Sequence, residues 1–478
     1  MKPFCAVTLF ICISVAPALA QPNPDTLWSR TFGGTNEDQC RSVRQTSDGG
    51  YVLAGLTYSF GVGTPTYSNM WLLKTDANGD SLWSRTFGGT FSDQCLSAQQ
   101  TSDAGYVLAG TTISFGAGGS DFWLVKTDGN GDSVWSRTFG GTNDDLCWSV
   151  QQTSDGGYAL AGYTHSFGVG DDDFWLVKTD ANGDSLWSRT FGGTSTDRCT
   201  SVQQTSDGGY VLGGYTYSFG TGSCDFWLVK TDTSGDSLWS RTFGGTSGDY
   251  YGLVEQTSDG GYILAGHTYS FGEGTPTYTN SWLVKTDANG DTLWSRAFGG
   301  TRSDYCYSVK QTSDGGYASV GSTYSFGWGT PTYSNFWLVK THANGNSLWS
   351  RTFGGLNQDI CWSVQQTSDS GYVLAGGTKS FGAGNTDFYL VKTGPESFYL
   401  ATVYLNEVGT NAVLRWIAPE TCDYSIYITT QMSEIGNPPG PGWSVAATLT
   451  AVPAGLVEWT DPAGLVPYKR YAVTMSCP

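Results

Sequence analysis

Short apolar runs recur along the whole chain, each closed by a glycine-rich break. The first set reads Cys40–Thr46, then Tyr51-Val52-Leu53-Ala54-Gly55 with its extension to Phe60, then Trp71-Leu72-Leu73-Lys74-Thr75, then Leu82-Trp83-Ser84-Arg85. These runs are rich in Val, Tyr, Phe, Trp and Thr, which predicts strands. The breaks are Ser-Asp-Gly-Gly and Asp-x-Asn-Gly-Asp, which supply the positive φ that hairpin turns need. We call the four strands of a unit a (around Val43), b (around Val52), c (around Leu72) and d (around Trp83). Leu/Val-Trp-Ser-Arg returns with its Trp at 28, 83, 135, 187, 239, 294 and 349, at spacings of 55, 52, 52, 52, 55 and 55. Four antiparallel strands at a fixed period of this size predict one propeller blade per repeat.

Seven a–b–c sets are present, the last ending at Lys392. The first d strand, at Trp28, precedes any such set, and the last set has no d after it. The expected fold is therefore all-β: a seven-bladed β-propeller over residues 21–394, closed by the N-terminal strand Thr26–Phe32 joining the unit Cys361–Lys392. Such closure leaves no open sheet edge. Residues 1–20 read as a signal peptide, with Lys2, an apolar stretch from Phe4 to Val15 and the small-x-small pattern Ala18-Leu19-Ala20. No second apolar stretch reaches membrane-spanning length. The expected product starts near Gln21 and is secreted, to the extracellular space, the cell surface or the periplasm.

Composition narrows the classes. Glycine supplies 66 of 478 residues, and aromatic and charged residues supply 14 % each. High aromatic content with few charges excludes intrinsic disorder and long helices. A net charge of −18 repels phosphate backbones, so nucleic acid is not an expected partner. Three histidines leave little for imidazole-based metal or triad chemistry.

Glycine pair, Asp-Phe-Trp-Leu-Val-Lys strand, turn and single Trp resemble the order of kelch-type blades. The Asp-x-Asn-Gly-Asp-x-x-Trp hairpin resembles the tryptophan-docking repeat of quinoprotein-like propellers, one residue shorter. The whole unit is similar to repeats of secreted bacterial and archaeal proteins of unknown function. The resemblance covers residues 25–393 and implies a propeller without implying an activity. Copper-oxidase relatives would need His ligands, but His165, His267 and His342 occupy unrelated repeat positions. The quinone enzymes have eight blades and a vicinal Cys pair, which this chain lacks. Residues 395–478 break the period, with Leu414-Arg415-Trp416, Tyr424–Tyr427, Trp459-Thr460-Asp461-Pro462 and Tyr471-Ala472-Val473. This order resembles a fibronectin type III β-sandwich, which implies a spacer or adhesion unit.

The repeated d-strand Trp is expected between blades, with the Arg after it and the strand-c Lys (Lys74 and its copies) forming scaffold ion pairs or lying on aromatics. Cys40, Cys95, Cys147, Cys199, Cys306 and Cys361 each follow the Trp by twelve residues; Tyr251 stands there in unit five. They read as small buried side chains. Cys224 reads as a free thiol, and Cys422 and Cys477 as a candidate disulfide. Asp76-x-Asn78-Gly79-Asp80 and its copies begin like a calcium loop but lack the downstream bidentate Glu. A hairpin turn explains them, and no cofactor or metal is expected beyond that calcium alternative. Asp38, Asp93, Asp145, Asp197, Asp249, Asp304 and Asp359 precede strand a, either as rim carboxylates for cations or as turn formers.

The a–b and c–d turns hardly vary, whereas the b–c and d–a loops vary and should share one face. Units one, five and six carry three extra b–c residues, bringing Tyr67, Tyr278, Tyr333 and Trp328. The residue after the Cys also differs: Arg41, Leu96, Trp148, Thr200, Gly252, Tyr307, Trp362. Exposed aromatics among neutral polar groups suit sugar stacking or a protein hot spot. The expected function is non-catalytic binding or scaffolding, with a glycan or extracellular protein held at Tyr67, Tyr278, Trp328, Tyr333, Trp148 and Trp362. The alternatives are a carbohydrate-active hydrolase or lyase using Asp172, Asp249 or Glu273, and a structural cell-surface component.

Overall fold

The computed structural model describes residues 26–395 throughout and, C-terminal to them, the backbone of six strands. The expected signal peptide lies outside the described residues. In the first unit the strands are a Asp38–Gln45, b Tyr51–Thr57, c Asn69–Thr75 and d Ser81–Phe87, paired in that order. Six such antiparallel sheets follow the chain. The seventh takes a, b and c from Asp359–Gln366, Tyr372–Thr378 and Asp387–Thr393, and its fourth strand from Thr26–Phe32. Trp28 pairs with Lys392 and Phe32 with Phe388. The units thus form a seven-bladed β-propeller closed by its N-terminal strand.

Strands b and c are almost wholly buried, because both faces pack against neighbouring blades. One inter-blade cluster joins Cys40, Val43, Tyr51, Leu53, Trp71 and Leu73 of blade 1 to Val373, Ala375, Phe388 and Leu390 of blade 7. The repeated cysteines sit in these seams as free, buried thiols. Cys224 is also free, and buried.

The outer seam follows from the Asn-Gly turn. Gly79 has φ +79°, and a Cβ there would fall 2.6 Å from the Trp28 ring of the preceding blade. Trp28 meets Tyr51 edge-on at 5.7 Å, and Arg30 Nε donates to Asp80 at 3.0 Å. Asp76 Oδ1 accepts the backbone N–H of Asn78 and of Asp80, each at 2.9 Å. The acidic turn is therefore occupied by its own backbone and by the neighbouring arginine. These Arg–Asp pairs are half-exposed and each worth about 0–1 kcal/mol, so they set register more than stability. The strand-c lysines are buried. Lys74 Nζ bonds Asp48 at 2.9 Å and the Thr75 carbonyl at 2.8 Å.

The seven Asp residues before strand a are not rim groups. Asp38 is fully buried, and its carboxylate accepts from Thr57 Oγ1, Ser59 Oγ and the Gly34 N–H. The pattern repeats around the ring, which corrects the cation-binding alternative. The b–c and d–a loops do share a face, joined by bonds such as Asn36 N–H to Ser59 Oγ.

A second carboxylate starts strand c where the b–c loop is short: Asp121, Asp173, Asp225 and Asp387. Asp121 Oδ2 accepts the Ala117 N–H at 2.7 Å. Where the loop is longer the residue is Asn69, Asn280 or Asn335, and Asn69 Nδ2 donates to the Val62 carbonyl at 2.8 Å. Burial pushes the carboxyl of Asp121 up to about 6, aided by Asp145, against the opposing Ala117 hydrogen bond. Asp173 and Asp225 are raised likewise, to about 6. A folded-state value above the ordinary 3.8 contributes stability that is present below pH 3.8 and lost as pH rises through about 6. The melting temperature of the full chain is therefore expected to fall between pH 5 and 7. Asp121→Asn/Asp173→Asn/Asp225→Asn should flatten that slope. Equal slopes in thermal melts of both proteins would contradict this assignment.

In the C-terminal segment, Thr402–Leu405, Ala412–Ala418 and Gly455–Thr460 form one antiparallel sheet, with Ala412–Ala418 central. Ser444–Val452, Cys422–Thr429 and Arg470–Ser476 form another, with Cys422–Thr429 central. Cys477 of the expected Cys422–Cys477 disulfide lies outside the described residues.

Candidate functional site

The inner a strands surround an axial cavity of about 340 Å³. Each strand bulges after its Cys: Cys40 faces Gly55 and Ser42 faces Ala54, leaving Arg41 unpaired in the ladder. A bulge re-aims its side chain, and Arg41, Leu96, Trp148, Thr200, Tyr307 and Trp362 all line the cavity. The variable position after the Cys is therefore the cavity wall.

Blade 5 departs from this pattern. Tyr251 is too large for the seam that holds Cys elsewhere, and it adopts φ +87°, with Gly252 at +55°. Its ring turns into the cavity instead. A near-continuous aromatic chain results. Trp148 meets Tyr251 at 6.3 Å, Tyr251 meets Tyr307 at 5.3 Å, Tyr307 meets Trp362 at 4.3 Å, and the Arg41 guanidinium lies 3.9 Å from the Trp362 ring centre.

Below the aromatics lies a tier of serines. Ser363 Oγ accepts the Val43 N–H at 3.2 Å and Ser42 Oγ the Ala98 N–H at 3.3 Å. The relay continues through Ser97, Ser149 and Ser201 to Val254 and stops at Leu253, which has no hydroxyl. The next tier holds glutamines, interrupted by Arg44, Glu255 and Lys310. Gln151 Oε1 accepts the Gln204 N–H at 2.5 Å, and Lys310 pairs with Glu255 at 2.9 Å. Burial works against the charges of Arg41 and Arg44.

Around the cavity mouth stand residues of which the sequence points only to Asp172 as a site candidate. His267 stacks with Tyr250 at 5.7 Å and meets Tyr305 edge-on at 4.9 Å; burial pushes its imidazole down to about 3, so it is neutral. Arg198 lies 4.6 Å from the Tyr163 ring centre and bonds Asp172 at 2.8 Å, while Asp172 also meets His165 at 3.3 Å. The available signal was variation at the position before the Cys and at the paired strand-b position.

Of the six expected binding residues, Trp148 and Trp362 line the cavity and the other four do not. Trp328 is 71 % exposed. Tyr67 packs on Phe91 at 5.5 Å, and Tyr278 accepts a bond from Arg302 at 2.9 Å. These, with Tyr333, stand on the b–c loops. Asp249, offered as a rim carboxylate, is fully buried, accepting from the Gly245 N–H and Ser270 Oγ. That corrects its catalytic candidacy. Among the described residues, no cluster of three or more His, Cys, Asp or Glu could hold a metal ion, and no helix is long and apolar enough to cross a membrane.

No protein-family model matches the chain. It is 26 % identical over 255 residues to the regulatory protein FlaEY of Caulobacter vibrioides, a match covering 48 % of this chain and 24 % of that protein. The chain thus matches about a quarter of that relative's length. Among solved structures it is similar to the Pan2 WD40 domain of Neurospora crassa, with a TM-score of 0.46, 10 % identity and coverage of 74 % of this chain and 89 % of that one. A fungal alcohol oxidase of the AA5 family in complex with copper gives a TM-score of 0.45 at 11 % identity, covering 94 % and 99 %.

Proposed function

We propose that this is an exported, non-catalytic binding protein that takes its ligand, a glycan or an extracellular protein, on the variable-loop face at the axial mouth. One observation carries the reading. Seven near-identical blades differ most where their side chains converge, and there they assemble Trp148, Tyr251, Tyr307 and Trp362 into one wall. Aromatic faces beside amides and hydroxyls suit sugar rings as well as protein hot spots. By contrast, the buried ionisable groups of the blade framework are engaged in structural bonds. Export rests on the reading of residues 1–20, and we read the C-terminal sheets as a fibronectin type III-like spacer. The kelch-like strand order belongs to the same proposal.

The test is affinity electrophoresis through gels carrying different microbial and plant polysaccharides. Replacing Trp148 and Trp362 by Ala removes two anchors worth about 2–4 kcal/mol together, a loss of at least about 30-fold. Loss confined to Tyr278→Ala/Tyr333→Ala would move the site to the outer loops and overturn the axial placement. Shortened polysaccharide recovered after migration would favour the hydrolase or lyase alternative.

A further inference from the structure

The axial cavity is unbalanced in its hydrogen bonding. Two donors in its wall are buried without a partner, the Arg41 Nε–H and the Trp148 Nε1–H. Arg41 uses another nitrogen on Gln39 Oε1, at 2.7 Å, so its guanidinium is held in place with one N–H still unpaired. An unpaired buried donor is costly, and the cost is recovered only when an acceptor arrives. Charge is unbalanced too. Arg41, Arg44 and Lys310 line the cavity and face two carboxylates: Glu255, paired with Lys310 and acting on Arg44, and Glu37, linked to Arg41 through Gln39, so three cations stand against two anions. This cluster is cationic inside a chain of net charge −18.

Unpaired donors beside cations call for a ligand that brings anionic oxygen. The aromatic chain calls for a ring, and the Gln99, Gln151 and Gln203 side chains in the same wall suit hydroxyls. About 340 Å³ is at the lower end of small-ligand sites, room for one or two sugar units. We propose that the cavity binds the uronate unit of an acidic oligosaccharide, its carboxylate on Arg41 Nε and Trp148 Nε1 and its ring against the aromatic wall. This deepens the reading of the same site as a glycan-binding mouth and rests on it. The net negative charge of the whole chain disfavours long polyanions at a distance, so the fitting ligand is a short or terminal acidic unit. Burial works against the charge on Arg41, and an arriving carboxylate offsets that penalty.

The experiment is calorimetric titration of the full chain with a uronate disaccharide and with its carboxyl-reduced counterpart. The acidic sugar is expected to bind at least about tenfold more tightly, as a charged hydrogen-bond pair requires. Arg41→Gln should abolish the difference. Trp148→Phe keeps the ring, loses the Nε1 donor, and should cost about tenfold on the acidic sugar only. It also guards against an Arg41 variant that fails to fold, which thermal melting would reveal. Equal affinity for both sugars, lost in Trp148→Ala/Trp362→Ala, would overturn the uronate assignment and leave the glycan-binding site standing. No binding of either sugar would overturn the uronate assignment, and the polysaccharide gels then decide whether the site itself survives. Binding of an acidic peptide in place of the sugar would transfer the site to a protein ligand.

Discussion

A chain beginning at Gly33, without the strand Thr26–Phe32, is expected to be lost as a folded monomer. That strand completes blade 7 through a ladder running from Thr26–Thr393 to Phe32–Phe388. Its Trp28 and Phe32 also pack on the seam between blades 7 and 1. Both side chains are only partly buried, so together they contribute about 2–3 kcal/mol, before any ladder bond is counted. The margin of a folded domain is about 5–15 kcal/mol. Deletion also bares the edge of Asp387–Thr393, a template for pairing with another chain. Size-exclusion chromatography and thermal melting should show aggregates or strand-exchanged oligomers. A synthetic peptide spanning Thr26–Phe32 should restore part of the monomer. A deletion that stays monomeric with an unchanged melting temperature would disprove closure by this strand.

Gly213→Ala is expected to be strongly destabilising, although other blades carry alanine or larger at the same position. The corresponding strand-b residue is Ala54, Ala109, Ala161, Ala265 and Ala375 in five blades and Val320 in another, so alanine is ordinary there. At Gly213, however, a Cβ would lie 2.2 Å from the carbonyl oxygen of Gly252 in the next blade. That carbonyl faces Gly213 because Tyr251 has turned the backbone over. Overpacking against backbone cannot be relieved by a rotamer change, so the loss should approach about 3 kcal/mol. Restoring the ordinary inner strand with Tyr251→Cys/Gly252→Thr should recover most of it, even though Thr200 then loses its 2.6 Å bond to the Tyr251 carbonyl. Urea denaturation of the single, double and triple variants gives the coupling. Additive effects would show that the two blades do not share this constraint.

The parts legible in the sequence were those that repeat. Period, turn residues and the orphan d strand at Trp28 were enough to place the four strands of each blade and the closure, because each rests on local chemistry copied seven times. The site was only partly legible. Trp148 and Trp362 stood out as variable aromatics, but alternation along a strand does not reveal a bulge that re-aims one residue. The sequence reading therefore grouped them with Tyr67, Tyr278, Trp328 and Tyr333, which lie on loops. Tyr251 was visible as the missing Cys, yet its turn into the cavity depends on the size of the seam behind it. Asp249 and its copies could be read as turn formers or as rim carboxylates, because nothing local shows that hydroxyl and backbone donors close over them.

The exchange of Asp for Asn at the start of strand c reaches beyond stability. A short b–c loop presents an N–H to that side chain, and a long loop presents a carbonyl. Three extra residues on the variable-loop face are thus accommodated by swapping one oxygen for one nitrogen in the buried layer beneath. The ring behaves as a set of two interchangeable cassettes, so its outer contour can be redrawn one blade at a time while the seams stay untouched.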